Sequence, residues 1–260
     1  MEGMPEFPGA MRLDLRLSAE SGGRLLRVTV RSSAGERESA QDGAGDEPAT
    51  QHRPREVVPV LLAAVDAGLF AGPKEGQRME VVRTEAHDKE GERIETWEWM
   101  TPPLEVDALA VFARMIWSTG ARALVIAQNA PEERLTVRSF DHVARRTERI
   151  PPWEVTSHVE EDAKNAVVLV CFKHDAPPEI VRETHTTLRA WGAVVSFGGF
   201  TGGASFPTSA ALFSEVGTEL RREVFAKFDA LGVGRDGWAA LWTGLSRIHK
   251  HAPIERVEMR

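Results

Sequence analysis

The sequence predicts an α+β protein built from two ferredoxin-like βαββαβ units in tandem, each an antiparallel sheet with helices on one face, the pair able to pack as one pseudo-symmetric body. Three observations predict it. Segments that read as strand, helix, strand, strand, helix, strand run through residues 24–128, and a similar series runs through residues 166–260; that order is the split βαβ unit. The chain has 260 residues, and halves of about 110 to 130 are near the usual domain size. An apolar share of 42% with 27% charged residues is ordinary for a globular chain and excludes disorder as a whole.

Taken in order, residues 12–17 alternate apolar and charged positions, and after Ser21-Gly22-Gly23 residues 24–31 resume with Leu26, Val28 and Val30 on one face, which predicts a hairpin. Residues 32–54 hold scarcely one large apolar side chain and predict a long mobile loop. Val58, Leu61, Leu62, Val65 and Leu69 fall at helical spacing, with Pro59 near the first turn and Gly68 and Gly72 at the end. Residues 79–87 and 93–100 flank the polar turn Asp88-Lys89-Glu90-Gly91 and predict an antiparallel hairpin. Pro103 opens a helix to Ser118 whose stripe, Leu109, Phe112, Ala113 and Ile116, is widened by Val106, Val111 and Trp117, so burial on more than one side is expected. Residues 123–127 are wholly apolar, as an interior strand would be, and 134–140 follow as a further strand.

The Arg-rich stretch 142–153 ends in Pro151-Pro152 and is the expected linker between an amino-terminal unit, 1–141, and a carboxyl-terminal ferredoxin-like unit, 154–260. Residues 167–172 form a β-branched and apolar run fit for a central strand. Pro177 and Pro178 open a helix carrying Ile180, Val181, Thr184, Leu188 and Trp191, which Gly192 is expected to end. Residues 193–197 then read as a strand and 198–209 as a loop. Residues 219–231 fit helix or strand, and their alternation favours strand. Asp236 is the expected cap of a helix with Trp238, Leu241, Trp242, Leu245 and Ile248 on one face, and residues 254–259 close the series as a strand.

Charge and cysteine usage narrow the function classes. The net charge is −7; residues 151–260 carry 12 Lys and Arg against 14 Asp and Glu, a net of −2, which leaves −5 for the first 150. A phosphate backbone would be repelled in the absence of a basic run, so no nucleic acid is expected, and the excess favours a basic partner. The single Cys171 permits no intrachain disulfide and the amino terminus lacks a signal-peptide pattern, so the expected setting is cytoplasmic. No stretch reaches the ~18 to 20 apolar residues of a membrane span.

The strings that could carry chemistry are each explained more simply by structure. Gly232-Val233-Gly234-Arg235-Asp236-Gly237 matches a dinucleotide-binding fingerprint, but 23 residues after Gly237 are too few for the remaining strands of a doubly wound sheet. The loop Gly198-Gly199-Phe200-Thr201-Gly202-Gly203 lacks the Lys and hydroxyl of a phosphate loop and reads as mobile, with Phe200 exposed. Eight histidines are scattered without metal-ligand spacing, so neither metal nor cofactor is expected. Cys171 sits inside an apolar strand where a thiol is inert, and no GxSxG string occurs. Glu95, Trp97 and Trp99 share one strand face, with Thr96, Glu98 and Met100 on the other; Trp on a partly exposed sheet is an interface anchor, and in a core it is packing.

The function expected on these grounds is a non-catalytic protein-binding module with Trp97, Trp99, Phe200, Glu95 and Glu98 as its partner surface. Its concrete form is an immunity-type inhibitor of a basic toxin or enzyme. The alternatives are a small-substrate enzyme whose groups, among them His174, Asp175, His185 and the loop 198–205, are gathered by the fold near residues 174–205, and a structural homo-oligomer subunit joined at sheet edges.

Overall fold

The computed structural model describes residues 12–17, 24–33, 54–70, 80–89, 91–101, 106–128, 134–135, 150–157, 164–202, 210–219 and 222–260. Their elements in chain order are β1 (Arg12–Leu17), β2 (Arg24–Ser33), α1 (Pro54–Asp66), β3 (Glu80–Lys89), β4 (Glu92–Thr101), α2 (Val106–Ser118), β5 (Ala123–Gln128) and β6 (Arg134–Leu135), then β7 (Glu154–Ser157), β8 (Lys164–Phe172), α3 (Pro178–Ser196), β9 (Ala210–Glu219), β10 (Glu223–Gly232), α4 (Arg235–His249) and β11 (Ile254–Met259). Two compact units are distinguished. One comprises Met1–Pro54, Pro73–Pro103 and Thr119–Phe140; the other comprises Arg55–Gly72, Leu104–Ser118 and Asp141–Arg260, so that α1 and α2 are counted with the second sheet.

The first sheet has the order β3-β4-β2-β5-β1-β6 and the second β7-β11-β8-β10-β9. Within the first, β2, β3, β4 and β5 pair antiparallel, with the fourth strand β5 beside the first strand β2 and the second strand β3 outermost. In the second, β8, β9, β10 and β11 repeat that arrangement strand for strand. This is the ferredoxin-like βαββαβ order twice over, as the sequence predicts. The repeat is longer than expected: β1 pairs parallel with β5, and β7 pairs parallel with β11, so each unit carries an extra strand beside its fourth.

The equivalence extends to how the first helix of each series ends. In α1 the Leu69 N–H donates to Ala64 O (3.1 Å) and the Gly68 N–H to Val65 O (2.9 Å); in α3 the Gly199 N–H donates to Val194 O and the Gly198 N–H to Val195 O, both 2.9 Å. These are Schellman caps, whose C′ residue must be left-handed; Gly68 has φ +72° and Gly198 φ +68°. The next turn delivers Phe70 and Phe200 inward in the same way, with Phe200 1% exposed.

Four expectations are corrected here. The segments 12–17 and 24–31 are not a hairpin, because β5 lies between them; a fourth strand that returns beside the first displaces the neighbour in sequence. Residues 193–197 are not a strand. Val194 and Val195 are wholly buried in the last turns of α3, Gly192 is an interior helical residue, and the burial of the helix overrides their β propensity. The strand wanted at that point of the series is β9. Phe200 is not exposed, because the Schellman turn points it into the core. Asp236 does not cap α4: Gly234 is the N-cap, with no side-chain cap bond, and the Asp236 oxygens are taken by other groups. The ambiguous segment 219–231 is strand, as β10. The expected loop 32–54 and linker 142–153 fall largely outside the described residues.

In the second unit α3 and α4 cover one face of the sheet. Val168, Val170, Phe172, Val224, Ala226, Phe228 and Val257 point to that face and are buried, and Trp191 of α3 meets Phe228 edge-on at 5.5 Å. The helices approach closely where side chains are missing. A Cβ on Gly244 of α4 would lie 2.8 Å from Thr187 Cγ2 and 3.1 Å from Leu69 Cδ2, and one on Gly199 would lie 2.6 Å from Val194 and 2.9 Å from Met115. The middle of α2, Ala108 to Ile116, is buried all round, including Arg114. On the opposite sheet face Cys171 and Leu169 are buried under polar neighbours. There Arg256 donates to Glu258, holding that carboxyl below its ordinary value, and Arg260 adds a second donor at 2.7 Å. Among the described residues no helix is long and apolar enough to cross a membrane.

Candidate functional site

Edge strands expose unpaired backbone groups, and proteins blunt them with charge, bulges or brevity. Three edges show these devices. Along β3 the six residues Thr84 to Lys89 are all exposed and include Glu85, His87, Asp88 and Lys89, and the register slips between Val81 and Arg83. Along β9 the register with β10 slips twice, and Glu215 is engaged by Lys227 at 2.6 Å. β6 is two residues long.

The fourth edge, β7, is short, has no bulge and carries one charge, Glu154. It runs beside β11 without a register slip, Val155 opposite Val257 and Glu154 opposite Arg256. Among the described residues no strand lies on its outer side. Val155 is 38% exposed, and Ile150, just upstream, is 89% exposed; these are the exposed large hydrophobic residues among those described. Glu154 is exposed on the opposite face and makes no ion pair among the described residues.

The residue that fixes this edge is Trp153. Two positions before Val155, it shares the helix-side face. Its ring meets Trp242 of α4 edge-on at 6.1 Å and His249 at 5.3 Å. His249 is itself oriented, since its Nδ1 accepts the Ile254 N–H at 3.0 Å where β11 begins. Trp153 therefore pins β7 to α4. Its indole Nε1 is buried and has no hydrogen-bond partner among the described residues. The alternation Trp153, Glu154, Val155, Thr156 after two prolines was the sequence signal for this strand, which the sequence analysis did not assign.

The residues expected to form the partner surface lie elsewhere. Trp97 is 3% exposed in β4, and Glu95, on the same face, is buried with the Arg93 guanidinium 2.7 Å away. Glu98 faces the other side, where Arg27 holds it at 2.6 Å. Trp99 lies in β4 opposite Leu26, and its side chain is outside the described residues. Phe200 is core. All four described side chains are thus engaged or buried within the fold.

The groups of the enzyme alternative are not drawn into one described cluster. His174 is exposed, Asp175 pairs with Arg222 at 2.7 Å, and His185 Nε2 meets Thr218 Oγ1 at 2.6 Å, with burial and then the nearby Arg189 lowering its pKa. Among the described residues no group of His, Cys, Asp and Glu is arranged to hold a metal.

Sequence reasoning also missed a buried polar junction. Arg114 of α2 donates through Nη1 to Asp236 Oδ2 at 2.7 Å, and Asp236 further accepts from the Thr201 N–H (3.0 Å), the Thr201 hydroxyl and the Gly237 N–H (3.0 Å). It ties α2, the turn after α3 and the start of α4 together. Here lies the structural use of the GVGRDG string: Gly234 N–H donates to Thr201 O at 2.6 Å, and a Cβ on Gly234 or Gly237 would strike the same turn.

No protein-family pattern matches the chain, and no curated protein is similar to it. Among solved structures, one described as a "putative glycine cleavage system transcriptional repressor" aligns over 92% of this chain and 98% of its own, at 9% identity and a TM-score of 0.25. Another, of an unknown protein from Galdieria sulphuraria, aligns over the same shares at 11% identity and a TM-score of 0.23. At those scores neither likeness bears on function.

Proposed function

We propose that this protein is a non-catalytic binding module that takes a protein partner by strand addition at β7. The observation that supports this reading is the β7 edge itself, an unbulged strand that leaves Val155 and Ile150 open to solvent while Trp153 holds its backbone in place. An added strand would gain main-chain hydrogen bonds from the edge and a side-chain contact from Val155 on alternate positions. The inhibitor of a basic toxin or enzyme is one form of this reading. It draws on the net charge of −7 and on Glu154, which offers an incoming strand a carboxylate free of any ion pair among the described residues. A cytoplasmic setting belongs to the same reading.

The test is a complex isolated from the native host with the full chain as bait, compared with Val155→Glu. A stoichiometric protein partner should be lost in the variant, and the amides of residues 154–157 should gain protection from hydrogen exchange in the complex. A partner that survives Val155→Glu, or a complex that leaves those amides unprotected, removes the edge from the proposal.

A further inference from the structure

We infer that one face of the first sheet docks an extended acidic protein segment, whose carboxylates at positions i and i+4 are taken by two Arg–Ala–Arg rows running across β1, β5 and β2. β7 belongs to the other unit and plays no part here, so the two sites stand or fall separately.

The register assembles these rows from residues far apart in the sequence. Because β5 lies between β1 and β2, Arg12 and Arg31 both stand opposite Ala123, and Arg16 and Arg27 both stand opposite Ala127. Directly opposed residues belong to the same face of a sheet. The other face is the covered one, where Val28, Leu124 and Ile126 are wholly buried. Arg27 and Arg31, by contrast, keep 57% and 54% of their side chains accessible. Strand geometry puts the two rows roughly 13 Å apart along β5 and the two arginine positions of each row roughly 10 Å apart across it. Between them runs a third row, in which Val125 stands opposite Thr29 on one side and Asp14 on the other.

A face that needs only to stay soluble intersperses charges of both signs. The second sheet does so on the face opposite its helices, where Arg256 and Arg260 donate to Glu258 and Lys227 pairs with Glu215 at 2.6 Å. Over β5 the first sheet instead sets arginine at both ends of each row, with alanine, a single methyl group, between them. Arg27 is also oriented. Glu98 accepts from its Nε and engages its Nη2, each at 2.6 Å, and Nη1 takes no part in that contact. Arg31 lies 3.8 Å from Glu92, an exposed pair of small worth.

An extended chain laid along β5 turns every second side chain toward the sheet, so its positions i and i+4 fall roughly 13 Å apart, the spacing of the rows. A carboxylate at each position is offered two arginines, and guanidinium binds carboxylate through charge-assisted, bidentate hydrogen bonds. Position i+2 falls over Val125 beside Asp14, which favours an apolar side chain and opposes a third carboxylate. The fitting segment is therefore acidic-x-apolar-x-acidic. Single-stranded nucleic acid fits less well: the positions of β2, β4 and β5 on this face carry no aromatic ring for bases to stack on. An unbroken line of phosphates would also cross the register positions of Asp14 and Glu98.

The probe is a rhodamine-labelled, amidated peptide, Ser-Glu-Thr-Val-Thr-Glu-Ser, titrated with the full-length protein at low salt and followed by fluorescence anisotropy. Binding should saturate, vanish when both glutamates of the peptide are replaced by glutamine, and weaken when they are made adjacent. Arg31→Glu should weaken binding about tenfold, the effect of reversing one exposed ion pair. Arg12→Glu and Arg16→Glu should act alike, and Arg222→Glu, in the second unit, should leave binding unchanged. Arg31 is exposed, so circular dichroism should show its variant folded. No saturable binding, or binding indifferent to Arg31→Glu in the folded variant, overturns the site. Equal binding of the peptide with adjacent glutamates overturns the spacing. Tighter binding of an oligothymidylate, lost with Arg31→Glu, overturns the peptide as occupant and gives the face to nucleic acid.

Discussion

Replacing Arg114 with Met tests whether the buried junction beneath the α3–β9 turn holds the second unit together. Arg114 is 5% exposed, and its partner Asp236 keeps 16% of its side chain accessible. The substitution preserves much of the apolar volume and removes the cation, which leaves Asp236 with neutral donors only: Thr201 N–H, Thr201 hydroxyl and Gly237 N–H. Breaking one side of a buried pair costs about 3–5 kcal/mol, and those three donors place this case at the lower end, about 3 kcal/mol. For a chain of this size that lowers Tm by roughly 6–12 °C. Asp236→Asn should cost a similar amount from the other side, and the double variant should be destabilised by less than the sum, with a coupling of about 2 kcal/mol. Urea titration followed by tryptophan fluorescence suits the measurement, because Trp191 donates its Nε1–H to Gly237 O at 2.9 Å, one residue from Asp236. Additive single effects, or an Arg114→Met cost below about 1 kcal/mol, would show that the junction is a surface-type pair of little consequence.

Three further outcomes are expected. Gly68→Ala should destabilise by about 1–2 kcal/mol in chemical denaturation, since Ala resists the left-handed conformation at φ +72° and its Cβ would meet the Arg247 side chain. Burial pushes the Cys171 thiol from 9.0 up to about 11, so its neutral form is favoured in the folded state. The associated stability is whole below pH 9, where the unfolded thiol is also neutral, and is lost as pH rises through about 11, so the urea midpoint of the wild type should fall faster than that of Cys171→Ala across this window. Trp153→Phe should change stability by less than about 1 kcal/mol, because lost packing is offset by removing an unpartnered buried N–H, whereas Trp153→Ala should cost about 3–5 kcal/mol and release the β7 amides to fast hydrogen exchange.

How much was legible in the sequence depended on whether a segment's own pattern or its neighbours decided its fate. The run Val167 to Phe172 is apolar on both faces and could only be an interior strand, and the breadth of the α2 stripe announced burial all round. Residues 193–197 misled because a short apolar run has no period of its own; the glycine that stops α3 is Gly198, and a left-handed φ cannot be told from an interior helical glycine such as Gly192 by composition. The exposure of the expected surface residues was misjudged for a related reason. Trp97 and Phe200 are large aromatics whose exposure depends on what covers them, while Ile150 and Val155 are ordinary apolar residues that matter because nothing described covers them. Arg114 and Asp236 lie 122 positions apart, and only the fold brings them within 2.7 Å.

The doubling of the fold, which by itself licenses no function, becomes informative where the two copies differ. Their shared features, the strand order, the extra parallel strand and the Schellman turn ending each first helix, are those a βαββαβ unit needs to close its core. One difference falls at the edge: among the described residues β1 is flanked by β6, whereas no strand lies outside β7, where Val155 is exposed and Glu154 makes no ion pair. If that edge had no use, the cheapest protection would be a charge in place of Val155, of the kind β3 carries at Glu85, Asp88 and Lys89. Instead the chain commits a buried tryptophan, with an unsatisfied indole N–H, to holding the open strand rigid. A pre-ordered edge loses less conformational entropy when a strand is added than a loose one would, so Trp153→Ala should weaken partner capture even though Trp153 itself faces inward and touches no partner. Capture unchanged by Trp153→Ala in a folded variant would mean that Val155 and Ile150 act as an apolar patch alone, independent of strand geometry.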